Sequence, residues 1–188
     1  ISTPFVVEID SQNTNMIPAS DTNIKLKTRY SPTLPIELRR PGFPENIDVI
    51  FSNVVIDTSV ADIGVPSRPV NFTVIAKTLS GDQKLKFRYR DQNNSGSGTL
   101  DAVGDYIEVL TAEVETPGQY RSTWRIEVDT AGFSGAPIIP PTINDKYELR
   151  LFFPYSSQDK FTFLTKGQYI DPDSARQQFG TNPYVVPN

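Results

Sequence analysis

The feature that most constrains the fold is a regular alternation of side chains between Tyr120 and Val128. Tyr120, Ser122, Trp124, Ile126 and Val128 occupy one set of alternate positions, and charged residues and threonine occupy the other. Successive side chains of a β-strand point to opposite faces of a sheet, so this pattern predicts a half-buried strand. The single tryptophan lies in the middle of the apolar face, where a large ring anchors a core. We therefore expect Trp124 to be a central core residue.

A second β-forming stretch, residues 105–114, precedes this strand, and Pro117-Gly118 lies between them. Pro and Gly favour a turn at these positions, so the two stretches predict a β-hairpin. A two-residue loop would pair Val109 with Ile126 and send Leu110 to the arginine face. A three-residue loop would bring Leu110 inward and require a bulge near Val109. Because a slip of one residue moves every side chain to the opposite face, only one register can hold, and we predict the two-residue loop.

The motif PGQYRSTWRIEV, residues 117–128, resembles the corresponding strands of the tryptophan-rich immunoglobulin-like domain of autophagy receptors and their bacterial relatives. The other tryptophans of that family have no counterpart in this sequence, because Trp124 is the only one. No site residue is therefore carried over from the resemblance.

Further short stretches have strand character and are separated by turn signals. They comprise residues 3–9, 22–30, 48–57, 71–79, 84–90, 147–153 and 160–165, of which 71–79 and 84–90 are expected to form a second hairpin turned at Ser80-Gly81-Asp82. Many short strands at this spacing, without a long helical period, are typical of a sandwich. The predicted fold is therefore an all-β, antiparallel β-sandwich of immunoglobulin-like or jelly-roll type, with extended N- and C-terminal segments.

The predicted sandwich covers residues 1–165, with a possible sub-domain boundary near residues 65–69, and residues 166–188 form an extended C-terminal arm. The arm carries three prolines, and a residue that precedes proline is driven out of the α region. It also carries large apolar side chains, which are costly to expose to water. We expect Phe179, Tyr184 and Val185 to form a subunit interface by packing on a neighbouring copy.

Composition argues against several classes of function. The chain has no histidine and no cysteine, so the commonest general base, the commonest transition-metal ligand and the thiol nucleophile are missing. We therefore predict that the protein is not an enzyme. A net charge of −4 argues against a nucleic-acid partner, which needs a basic face. No run of about 20 apolar residues occurs, so membrane insertion is not expected.

One loop contains oxygen ligands at alternate positions, as calcium sites do. Asp91 and Asn93 begin it, and Asp101 and Asp105 follow at its end. The position that carries a bidentate Glu in an EF-hand is Ala102, so that template fails. The same residue types also fill ordinary turns, which is the favoured interpretation. We predict no cofactor and keep calcium at these four residues as the weaker alternative.

Two acidic pairs, Glu113 with Glu115 and Asp171 with Asp173, have the composition of an acid–base pair, although a solvated rim explains them better. Tyr89, Arg121 and Arg125 could stack on a sugar or pair across an interface. The basic row from Lys84 to Arg90 could meet an acidic partner. Such rows are more often the solvated side of a sheet.

These expectations together indicate a non-enzymatic structural subunit of an ordered protein assembly, in a virion or at an extracellular or cell-surface location. Examples are a decoration, cement or tail protein of a phage or virus particle, or a bacterial surface filament. The expected partners are copies of the chain itself or neighbouring assembly proteins. The acidic balance favours these roles over a genome-lining shell. The alternative is an extracellular carbohydrate- or protein-binding β-sandwich module.

Overall fold

The computed structural model describes residues 7–33, 45–62, 64–112, 120–131, 137–152 and 162–163, and these contain strands but no helix. In chain order the strands are β1 (Glu8–Ile9), β2 (Asn15–Ile17), β3 (Leu26–Tyr30), β4 (Asn46–Phe51), β5 (Asp57–Thr58), β6 (Pro69–Val70), β7 (Phe72–Thr78), β8 (Gly81–Lys84), β9 (Lys86–Arg90), β10 (Tyr106–Ala112), β11 (Tyr120–Val128), β12 (Lys146–Leu149) and β13 (Leu151–Phe152).

The strands form two larger antiparallel sheets and two small ones. The first larger sheet has the order β2-β12-β4-β7-β8, and the second has the order β3-β11-β10-β9. β1 pairs with β13, and β5 pairs with β6. The prediction of an all-β chain with antiparallel sheets is confirmed.

The two larger sheets share one hydrophobic core. Phe72 of the first sheet packs on Phe87 and Tyr89 of the second, with ring centroids 5.2 and 5.5 Å apart. Trp124 is fully buried and stacks on Tyr30 at 4.3 Å, so its prediction as a core residue is confirmed. The arrangement is consistent with a β-sandwich, because the inward faces of two sheets supply a single core.

The register between β10 and β11 differs from the predicted one. Val109 lies opposite Trp124, whereas Leu110 lies opposite Ser122, so Thr123 is an extra residue in the ladder. The predicted pairing of Val109 with Ile126 is therefore wrong. The irregularity falls between Val109 and Leu110, where the alternative register required a bulge.

The bulge also changes which face Ser122 occupies. Its hydroxyl donates to Glu108 Oε2 at 2.9 Å, and Arg125 binds the same carboxylate. Ser122 thus lies on the arginine face and not beside Trp124 as the alternation predicted. The physical reason is that one extra residue reverses the alternation on the far side of a bulge. A hydroxyl also gains hydrogen bonds on the polar face that the core would deny it.

The predicted hairpin of residues 71–79 with 84–90 is wrong for most of its second strand, and its turn lies at Leu79-Ser80 rather than at the predicted Ser80-Gly81-Asp82. β7 pairs with β8 through a tight connection in which Thr78 lies opposite Gly81. The chain then passes through Leu85 and enters the second sheet as β9, which pairs with β10. Phe87 and Tyr89 of β9 fill the core from the side opposite β7, and this burial favours the change of sheet over a longer hairpin.

The chain divides into two compact units, residues 1–154 and 155–188. All thirteen strands belong to the first unit, which is called the body below. In the second unit the structure describes only residues 162–163, both of which are exposed. The predicted arm at 166–188 lies outside the described residues, and its boundary and the one near 65–69 stay predictions.

Candidate interaction surface

Asp91, the first calcium candidate, is engaged by its own loop between β9 and β10. Its carboxylate accepts from Arg68 Nη1 at 2.8 Å and from the backbone N–H groups of Ser95 and Gly96 at 3.2 and 3.0 Å. Arg68 in turn belongs to the segment just before β6. The side chain of Asp91 therefore ties the start of the loop to a neighbouring segment of the body.

Asp105, at the other end of the loop, is fully buried and accepts three backbone N–H groups. The donors are Gln92 at 2.8 Å, Asp101 at 3.0 Å and Ala102 at 2.9 Å. Burial raises the pKa of Asp105 above its ordinary value, although these hydrogen bonds act in the opposite direction. The carboxylate organises both ends of the loop.

The remaining candidates bind each other, since Asn93 Nδ2 donates to Asp101 Oδ1 at 3.1 Å. Within the described ranges no group of three acidic residues is arranged to hold a metal ion. Every one of the four predicted ligands is thus engaged within the loop or by Arg68. The absence of a cofactor there stays a prediction, and calcium stays the weaker alternative, which this geometry does not require.

The aromatic and basic residues proposed for recognition are also engaged within the body. Tyr89 is buried in the core, so its ring is not available to stack on a sugar, and it does not lie on a solvated face either. Arg125 lies over the Tyr106 ring at 4.0 Å and binds Glu108. In the basic row, Lys84 binds Asp57 at 2.8 Å.

Each large sheet has one buried carboxylate among cations on its outer face. On the first sheet, Asp48 lies 2.8 Å from Arg150 Nη1 and 3.5 Å from Lys77 Nζ. On the second, Glu108 lies 2.5 Å from Arg125 Nη2. These ion pairs make both broad faces of the body polar, and the charges are paired within the body. The two faces are therefore disfavoured as apolar contact surfaces.

Two of the four edges of the larger sheets, β8 and β9, are also poorly suited to pairing with another chain. All four residues of the edge strand β8 (Gly-Asp-Gln-Lys) are exposed. Short polar edge strands discourage intermolecular pairing. The edge strand β9 is covered, because Val60 donates its N–H to the carbonyl of Phe87 at 2.8 Å.

Several loops meet at the end of the body where β4 ends and β12 begins. Phe51 N–H donates to the carbonyl of Asp145 at 2.9 Å, which brings the turn before β12 to the loop after β4. The Asp145 carboxylate accepts from the N–H groups of residues 19–20 at 2.6 and 2.9 Å, which adds the loop after β2. Asn71 N–H donates to Gly98 O at 2.8 Å, which adds the β9–β10 loop.

This end concentrates exposed aliphatic side chains. Of the ten large hydrophobic side chains that are exposed in the described residues, seven lie in or beside these loops: Ile17, Val54, Val55, Ile56, Val103, Ile139 and Ile143. We call these seven residues the apolar end. Val54 and Val55 each expose 58% of their surface and, with Ile56, form an unbroken apolar run. Consecutive exposed apolar residues are costly in water and typically mark an interaction site.

The apolar run is held by backbone hydrogen bonds. Val54 N–H donates to Ser52 Oγ at 3.2 Å, and Ile56 N–H donates to the carbonyl of Val70 at 3.0 Å. Burial raises the pKa of Asp145, but hydrogen bonds from Ser20 and from backbone N–H groups outweigh burial and lower it. The ionised form of Asp145 therefore stabilises the framework that presents the apolar end.

A concavity lies at the opposite end of the body. It is an open groove of about 500 Å³ beside β1 and β3. The groove contains one carboxylate, Glu8, and one guanidinium, Arg29, which is bound to Glu127 at 3.1 Å.

The remaining residues that the sequence predicted for a site, except Arg121, lie outside the described residues. They are Glu113, Glu115, Asp171, Asp173, Phe179, Tyr184 and Val185.

No family model matches this chain, and neither a curated protein nor a solved structure matches it. In the described parts of the chain, no helix has the length and apolar character needed to cross a membrane.

Proposed function

We propose that this chain is a non-enzymatic structural subunit of an ordered protein assembly. The observation that carries the proposal is the apolar end, where seven aliphatic side chains are exposed on loops held by hydrogen bonds. Fully burying one such side chain is worth roughly 1.5–3 kcal/mol, so half that gain at seven positions is on the order of 5–10 kcal/mol. That is comparable with the roughly 4–15 kcal/mol that association costs.

The distribution of polar groups supports contact through the ends of the body. The broad faces carry ion pairs centred on Asp48 and Glu108, and the edge strand β8 is polar. A subunit that associated through its faces would have to desolvate these charges. A subunit that associates through the apolar end removes hydrocarbon from water instead.

We also propose immunoglobulin-like rather than jelly-roll connectivity. In the first sheet, β4, β7 and β8 lie side by side in chain order, with the small β5–β6 pair inserted between β4 and β7, and β12 returns beside β4, which is a Greek-key order. In the second, β9, β10 and β11 are neighbours and β11 lies beside β3. This resembles immunoglobulin domains, whose B and E strands and C and F strands are neighbours. Amide contacts between Thr28 and Ile126 in solution would test the central pairing, and their absence would contradict it.

The assembly that suits this subunit is a virus or phage particle component, such as a decoration, cement or tail protein, or a bacterial surface filament. The location is then a virion or a cell surface, and the partners are copies of the chain or neighbouring assembly proteins. The proposed interface also includes Phe179, Tyr184 and Val185 of the C-terminal arm. A net charge of −4 suits a position away from nucleic acid.

The test is the mass distribution of the full-length protein as a function of concentration, by mass photometry and sedimentation velocity. We expect multimers that disappear when Val54→Ser and Val55→Ser are combined. The control is Gln83→Ser, which changes an exposed side chain in the polar edge strand β8, on the side of the body. A wild-type protein that stays monomeric at high concentration would contradict the proposal and favour a binding module whose apolar end takes a different protein.

A further inference from the structure

The last strand of the body, β13, lies at the end of the body opposite the apolar end. β12 begins beside the apolar end, where Lys146 lies opposite Ile17 and Ile50, and runs away from it. β13 follows, and Leu151 N–H donates to Asn46 Oδ1 at 3.0 Å, at the far end of β4. The chain beyond Phe152 therefore continues from the end of the body opposite the apolar end.

We propose that residues 166–188 of one copy bind the apolar end of the next copy, so that the subunits associate head to tail. This inference rests on the proposed function and names the occupant of the apolar end. The segment supplies matching chemistry, because Phe179, Tyr184 and Val185 are apolar while its two acidic residues are balanced by Lys166 and Arg176. A segment with no net charge and with aromatic and aliphatic side chains near its end suits a surface of valines and isoleucines.

Position favours a neighbouring copy over the same copy. In a head-to-tail arrangement, the apolar end of the next copy adjoins the end from which residues 153–188 continue. To reach the apolar end of its own body, the segment would have to pass along the length of a sheet. Both sheet faces carry charged side chains there, around Asp48 and Glu108. An apolar segment gains nothing from lying on such faces.

A contact between two different surfaces has a consequence for symmetry. An interface in which each copy offers one surface and receives another is heterologous, so it produces either a closed ring or an open chain. An interface between two apolar ends would instead be isologous and would stop at a dimer. The proposal therefore requires that every internal copy have two neighbours, one at each end.

Two full-length variants, each defective at one surface, test this directly. The receiver variant combines Val54→Asp and Val55→Asp, and the donor variant combines Phe179→Ser, Tyr184→Ser and Val185→Ser. Neither should assemble alone, because each lacks one half of the only interface. Mixed in equal amounts, they should form a 1:1 heterodimer of about twice the monomer mass and nothing larger, since each partner has one intact half.

Circular dichroism and thermal melts of each variant establish that it is folded, and Gln83→Asp, in the exposed edge strand β8 on the side of the body, serves as the charged control. A donor variant that still dimerises would overturn the proposal in favour of contact between apolar ends. Folded variants that fail to complement would overturn it in favour of docking within one copy. Both results differ from a failure of the proposed function, in which the wild-type protein itself does not assemble.

Discussion

Replacing Trp124 with alanine should destabilise the protein by about 3–5 kcal/mol. Trp124 is fully buried and stacks on Tyr30 with ring centroids 4.3 Å apart. A buried tryptophan removes about 200–250 Å² from water, worth about 5–6 kcal/mol at 25 cal/mol per Å². The alanine that remains and the removal of the buried, unpartnered indole nitrogen together recover about 2–3 kcal/mol, and the aromatic pair adds about 1 kcal/mol to the loss, which leaves about 3–5 kcal/mol.

The indole nitrogen makes a second variant informative. Trp124 Nε1 is buried and has no hydrogen-bond partner among the residues that the structure describes. Burying a donor without an acceptor costs about 1–3 kcal/mol, which the folded wild-type protein already carries. Trp124→Phe removes this donor and keeps most of the ring contact with Tyr30. We therefore expect Trp124→Phe to cost only about 1 kcal/mol, well below the cost of Trp124→Ala.

Equilibrium urea unfolding followed by far-ultraviolet circular dichroism gives both values. Fluorescence is unsuitable because Trp124 is the only tryptophan, and both variants lack it. A cost below about 1 kcal/mol for Trp124→Ala would show that the ring is not a core residue. Equal costs for the two variants would refute the argument from the unpartnered indole nitrogen.

Two further predictions concern carboxylates at the apolar end. Calcium should leave the melting temperature unchanged, because the Asp91 carboxylate already has Arg68 and two N–H groups as partners; a rise that Asp91→Ala abolishes would contradict this. The folded-state pKa of Asp145 is lowered, so its ionised carboxylate stabilises the folded protein. This stabilisation is fully present above the unfolded pKa of about 3.9 and is lost as the pH falls through the folded-state pKa. Asp145→Asn should thus cost more at pH 7 than at pH 3. The pKa of Asp105 is raised, so Asp105→Asn should show the opposite trend, and parallel pH profiles of the two variants would refute the assignment whose trend is not observed.

The sequence predicted the parts of the fold that depend on local alternation. Trp124, Ile126 and Val128 are buried as expected, and so is Ile24 of the stretch that contains β3. It did not predict the bulge at Thr123. Serine and threonine are compatible with either face of a sheet, so the alternation there carried little information about register.

The partner of a strand also cannot be derived from its own residues. Phe87 and Tyr89 predicted a buried face for β9, and that face is buried. Whether β9 pairs with β7 or with β10 depends on which sheet needs the two rings to fill the core, and that is a property of the whole body.

The apolar end was missed for a related reason. Val54, Val55 and Ile56 have high β propensity, so residues 48–57 were predicted as one strand. β4 ends at Phe51 because Ser52 Oγ accepts from Val54 N–H and begins a turn. The loops that complete this end come from positions more than 100 residues apart in the chain, such as Ser20 and Asp145. No local pattern predicts that they meet.

The passage of the chain through Leu85 couples the two sheets mechanically. β8 and β9 are separated by this residue alone, so a single extended run belongs to the first sheet at one end and to the second at the other. The two sheets cannot separate unless β8 or β9 loses its pairing with the neighbouring strand. We therefore expect the sheets to resist a pulling force together and to exchange their amide protons as one cooperative unit. Leu85 is accordingly a poor place to insert a peptide, whereas the exposed turn at Leu79-Ser80 is a good one.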